Sequence, residues 1–116
     1  MSGYKSARMS EDIKREMSFL LRSLKDPRIN SGNLSVVRVD VSKDCSFAKI
    51  YISSMKGIKD ANLAVKALKG AAGYIKRKFL NNLHLKKMIE VKFIADDSIE
   101  YGAHLERLFA ESLKGE

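Results

Sequence analysis

The chain has no tryptophan, one proline (Pro27), one cysteine (Cys45) and two histidines (His84 and His104) in 116 residues. A lone cysteine excludes an internal disulfide framework and a thiolate zinc cluster held by one chain. The histidines lie 20 residues apart, and neither has another His, Cys or carboxylate at metal-ligand spacing. Cys45 has no histidine near it in sequence to activate it as a nucleophile. Neither a GxxxxGKS/T loop nor a GxGxxG fingerprint occurs, so nucleotide chemistry has no foothold. Asp96 and Asp97 are adjacent, but their place ahead of a periodic apolar segment suits helix capping rather than a paired acid and base. The expectation is a binding protein, not an enzyme, with no metal and no cofactor.

No apolar run nears the ~18 residues that suggest a membrane span, and Met1-Ser2-Gly3-Tyr4-Lys5 lacks the apolar centre of a signal peptide. A cytoplasmic monomer is expected. With 45% apolar and 31% charged residues and seven glycines, the chain reads as one globular domain over 1–116, with 1–5 a flexible start and 114–116 a tail.

What the chain has in excess is positive charge, and it is unevenly placed. Against 22 Lys and Arg stand 14 Asp and Glu, a net charge of +8. Residues 1–60 hold 12 basic and 7 acidic side chains, residues 61–89 hold 7 and none, and residues 90–116 hold 3 and 7. A carboxylate-free stretch of that length is a local positive field suited to a polyphosphate partner, and nucleic acid is the leading one. The competing account is an ordinary solvated basic face.

Hydrophobic periodicity organises the rest. From Ser6 to Leu24, Met9, Ile13, Met17, Leu20, Leu21 and Leu24 keep three-and-four spacing, which predicts an amphipathic helix capped by Ser6 or Ser10 and ended by Lys25-Asp26-Pro27-Arg28. Val37, Val39 and Val41 alternate with Arg38 and Asp40, and Phe47-Ala48-Lys49-Ile50-Tyr51-Ile52 resumes the alternation, which predicts an antiparallel hairpin with Ala48, Ile50 and Ile52 on one face. A turn over Ser53–Gly57 leads to a second helical stripe, Ala61, Ala64, Val65, Leu68, Ala72, Ile75, Phe79 and Leu83, with a bend expected at Gly70–Gly73. Glu90–Ala95 is the third strand. A short acidic helix with Ile99, Leu105, Leu108, Phe109 and Leu113 on its apolar side closes the order. The fold class is α+β, two-layered, with a three-stranded sheet under the helices.

Gly70-Ala71-Ala72-Gly73 matches the GxxG pattern with which a KH domain brings backbone close to a nucleic-acid phosphate. Tyr74, Lys76, Arg77 and Lys78 follow, then Lys86 and Lys87. A second account stays open, in which Gly70 only ends a helix and Gly73 only permits close packing at a corner.

Taken together, several segments resemble the ribosome-binding factor A family, bacterial small-subunit assembly factors, over almost the whole length. They are Arg8 opening the first helix, Asp26-Pro27-Arg28 ending it, Val39-Asp40-Val41-Ser42-Lys43-Asp44 running into Ala48-Lys49-Ile50-Tyr51-Ile52, Ala71-Ala72-Gly73, and Val91-Lys92-Phe93 before Asp97-Ser98. The resemblance implies a KH-like fold of type II in which an Ala-x-Gly helix-kink-helix at Ala71–Gly73 replaces the GxxG loop. It also implies binding to the free 30S subunit or its precursor and to 16S rRNA, aiding late maturation and 5′-end processing without cutting RNA. The expected RNA-binding residues are Gly70, Ala71, Ala72, Gly73, Lys76, Arg77, Lys78, Lys86 and Lys87, with Arg8 and Arg15 as additions. The alternative is a protein-interaction module that docks basic ribosomal proteins through the acidic last helix, with Glu100, Glu106 and Glu111.

Overall fold

The computed structural model describes the backbone of residues 2–114 and the side chains of residues 5–98 and 105–112. The elements run α1 (Ser2–Ser23), β1 (Leu34–Val41), β2 (Phe47–Ser54), α2 (Ile58–Gly70), α3 (Ala72–Asn82), β3 (Glu90–Asp96) and α4 (Ser98–Lys114). This is the α+β, KH-like arrangement expected. The sheet order is β1-β2-β3, with β2 antiparallel to β1 and parallel to β3. Two parallel neighbours need a crossover, and α2 with α3 supplies it.

Helix α1 starts earlier than the periodicity predicts, so Ser6 and Ser10 are interior rather than capping residues. The Ser10 hydroxyl instead donates to the Val39 carbonyl at 3.1 Å, tying α1 to the edge strand it covers. At the other end the Arg28 amide and guanidinium both bond the Asp26 carboxylate, which holds its carboxyl below the usual range. The Ile29 and Asn30 amides bond the Asp26 carbonyl. That turn drops Ile29 into the core, 2% exposed, although its neighbours read as plain loop.

In β2 the alternation holds: Ala48, Ile50 and Ile52 are fully buried. In β1 it does not. A bulge between Val36 and Arg38 leaves Val37 out of step, so Val36 and Val39 are the buried valines. One extra residue in a strand shifts every side chain before it to the other face, which is why strict alternation across 37, 39 and 41 misplaces the first.

The core joins Ile13, Met17, Leu20 and Leu21 of α1, the inner face of the sheet, and Val65, Leu68, Ile75 and Phe79 of α2 and α3. Strand β2 takes up the first two residues of the predicted Ser53–Gly57 turn and ends at Ser54, whose buried hydroxyl donates to Asp60 at 2.6 Å and accepts the Lys56 amide. Gly57, at φ +106°, then starts α2 in a conformation reserved for glycine.

The acidic helix departs from expectation. It runs 17 residues, and Leu105, Leu108 and Phe109 are 47%, 48% and 68% exposed, so this part of the apolar side lies on no core. Ile99, Glu100, His104 and Leu113 fall outside the described side chains. Asp96 accepts the Ser98 amide at 2.7 Å, satisfying a donor in the first turn of α4.

Candidate nucleic-acid interface

The long helix breaks at one residue. Ala71, at φ −98° and ψ 7°, bonds its amide to the Ala67 and Leu68 carbonyls and accepts the Ile75 amide, so the chain bends without opening a loop. The corner is a kink. Neither flanking glycine is required for it: Gly70 and Gly73 avoid positive φ, and a Cβ added to either meets no atom within 4 Å. Gly70 is the last residue of α2, as the second account has it, whereas close packing at Gly73 is not found. What their bareness does is leave backbone open to solvent on the outer side of the kink.

Around it, Lys66, Gly70, Gly73 and Arg77 are all exposed at steps of four, three and four, and the exposed Lys69 stands three residues after Lys66 and four before Gly73, the spacing of one helical face. The opposite face carries the buried Ile75 and Phe79. No side chain caps α3, but its N-terminus follows the C-terminus of α2 across Ala71 alone, so the two helix ends offset each other and the field at the kink is that of the cations. Lys66 and Lys69 are not among the expected contacts. Their steps of four to Gly70 and Gly73 respectively are the signal that could have found them.

The expected cations do not share one situation. Arg77 is exposed. Lys78 is half-buried and sits over the Tyr74 ring, 5.4 Å from its centroid. Lys76 is only 24% exposed at the side chain and pairs with Glu90 at 3.5 Å, which ties it to β3 rather than to the outer ridge. Lys86 and Lys87 are exposed on the connection from α3 to β3. Arg8 and Arg15 are exposed on α1, and Arg15 is engaged with Asp12 at 2.8 Å. Helix α1 is joined to α3 where Asn82 donates to Glu16 at 2.6 Å.

His84 takes a structural part. It follows α3 with φ +53°, and the next amide, of Leu85, reaches back to the Leu80 carbonyl. That is the left-handed stop of a Schellman motif, in which His84 stands where glycine usually does. No cluster of three His, Cys, Asp or Glu with metal-binding geometry occurs among the described residues.

Comparison with known proteins decides the relationship. A family profile described as ribosome-binding factor A matches residues 5–109. The chain belongs to the ribosome-binding factor A family. It is 38% identical to the ribosome-binding factor A of Clostridium tetani over 109 residues, 93% of this chain and 89% of the relative. Against that of Heliobacterium modesticaldum it is 39% identical over 112 residues, 96% of this chain and 91% of the relative. Among solved structures it is similar to a candidate ribosome-binding factor A from Thermotoga maritima, with a TM-score of 0.71 and 29% identity over 84% of this chain and 92% of that one. The crystal structure of ribosome-binding factor A from Thermus thermophilus shares the fold, with a TM-score of 0.66 and 22% identity over 78% and 94%. The one-residue break at Ala71 thus takes, in a ribosome-binding factor A sequence, the kinked form the resemblance implied, while Gly70 keeps the literal GxxG spelling.

Proposed function

We propose that this protein binds the free 30S subunit or its precursor through 16S rRNA and aids late maturation, including the steps that permit 5′-end processing, without cleaving RNA. Family membership supports the ribosomal target, and a Thermus thermophilus homologue of the same fold is described in a 30S complex. The observation that carries the reading is the pair of sterically unrequired glycines at the kink, set in an exposed row of cations. Bare backbone lets a phosphate approach the helix corner, while Lys66, Lys69 and Arg77 neutralise its neighbours. Lys78, Lys86, Lys87, Arg8 and Arg15 extend the field, and Lys76 joins only if its pair with Glu90 opens. By holding one rRNA conformation more tightly than its competitors, such a protein shifts a folding population with no chemistry of its own.

Co-sedimentation of Lys69→Glu/Arg77→Glu protein with free small subunits tests this. Binding is expected to be lost, and unchanged binding defeats the assignment. With about five phosphate contacts, affinity plotted against salt on logarithmic axes should slope at roughly −3.5 to −4.5.

A second reading has its own observation. The exposed Leu105, Leu108 and Phe109 of α4, beside Glu106 and Glu111, form the apolar and acidic face with which a helix docks into a basic protein groove. A partner retained after nuclease treatment of a pull-down, and lost with Leu108→Asp, supports it. Loss of the partner with the RNA counts against it.

A further inference from the structure

The face of the sheet turned away from α1, α2 and α3 carries its own pattern. Along the central strand, Phe47, Lys49 and Tyr51 alternate with the buried Ala48, Ile50 and Ile52, placing aromatic, cation and aromatic in line at steps of about 7 Å. The register adds neighbours on both sides. Lys49 lies between Asp40 of β1 and Lys92 of β3, and Tyr51 between Arg38 of β1 and Ile94 of β3. The Arg38 guanidinium covers the Tyr51 ring at 4.2 Å.

Two lysines directly opposite on neighbouring strands repel each other, and natural sheets seldom keep such a pair without a counter-charge. Asp40, in register with Lys49 on its other side, is drawn to Arg38 at 3.2 Å, and Glu90 to Lys76 at 3.5 Å, so neither Lys49 nor Lys92 has an ion pair among the described residues. Phe47 is 37% exposed beside them, in the middle strand of the sheet. A phosphate chain resolves both features at once, because each nucleotide brings a negative charge and a planar base together.

We propose that this open sheet face is a second RNA-binding surface, one for an unpaired segment. Its bases stack on Phe47 and on the outer plane of the Arg38–Tyr51 pair, and its phosphates meet Lys49 and Lys92. Exposed aromatics interleaved with cations on a sheet are a platform that single-stranded RNA uses in other folds. The surface is distinct from the kink, since its residues come from the three strands and point to the other side of the core. It presupposes the RNA partner proposed above, but its test needs no ribosome, so the two readings fail separately.

The probe is a fluorescein-labelled chain of seven uridines, titrated with the full-length protein at low salt and then crosslinked by ultraviolet light for mapping by mass spectrometry. Crosslinks are expected at Phe47 or Tyr51. Phe47→Leu, which keeps apolar volume but removes the ring, should weaken binding roughly tenfold, and Lys49→Glu/Lys92→Glu at least as much. Lys69→Glu/Arg77→Glu should leave the sheet crosslinks in place. The proposal is overturned if crosslinks fall on α2 and α3 alone, or if both sheet variants keep wild-type circular dichroism and bind within twofold of wild type. It is equally overturned if hydrogen exchange shows the Phe47–Tyr51 face covered by α4.

Discussion

Lys76 Nζ lies 3.5 Å from Glu90 Oε2, so a cation at the head of α3 is bound to the first residue of β3 instead of facing outward. The next residue, Arg77, is exposed on the outer side of the same helix. Adjacent basic residues on a helix differ by about 100° in direction, and here that rotation separates a structural cation from a free one.

The first prediction contrasts these two. Arg77→Ala should weaken small-subunit binding and reduce the steepness of its salt dependence by about one unit. Lys76→Ala should leave that slope unchanged and cost at most about 1 kcal/mol of stability, since its pair is partly solvated. Equal effects on the slope would show that the pair opens on binding.

The kink glycines should behave in opposite senses in two assays. Because an added methyl meets nothing at either position, Gly70→Ala and Gly73→Ala are each expected to stabilise the helix by up to ~1 kcal/mol, read from urea unfolding. The same changes should weaken subunit binding by keeping a phosphate away from the backbone. A more stable protein that binds as before would mean that the bare backbone is not used.

His84 occupies a left-handed conformation at φ +53°. His84→Gly should therefore stabilise the protein by about 1 kcal/mol, and His84→Val should destabilise it by a similar or larger amount. Urea midpoints of the two variants measure this. The reverse order would contradict the Schellman stop.

Asp44 sits in the hairpin turn, where its carboxylate accepts the Ser46 hydroxyl and amide and the Ser42 hydroxyl. Those bonds hold its carboxyl below the ordinary 3.8. A depressed carboxyl stabilises fully above its unfolded value, and the benefit fades as pH falls through the folded value. Thermal unfolding of wild type and Asp44→Asn should thus differ by a constant amount near neutral pH and converge below about pH 4. A gap that widens in acid would reverse the sign and remove the turn from the account.

Most of the elements could be read from the residues because each is set by local periodicity. The α1 stripe, the Ala48-Ile50-Ile52 face and the bend after Gly70 depend only on neighbours within a few positions. The misreadings have equally specific causes. A bulge moved Val37 out of step, because a strand's face is decided by its pairing partner. Ser10 became a tether to Val39 because β1 lies beneath it. Ile29 is buried because the Asp26 turn folds it under α1, which no pattern in the ten-residue loop from 24 to 33 announces.

The candidate site divides along the same line. Sequence alone determined where the positive charge concentrates and that a bend interrupts it, since a carboxylate-free segment and two glycines in an apolar stripe are facts of composition and spacing. Tertiary structure alone decided which cations remain free and why the glycines are bare. Lys76 is engaged only because the crossover brings Glu90 beside it, and Gly70 and Gly73 are open because the kink packs on the core through Ala71 and Ala72 and leaves its outer side uncovered. Charge is carried by the residue, but its availability depends on what the fold places within a few ångströms.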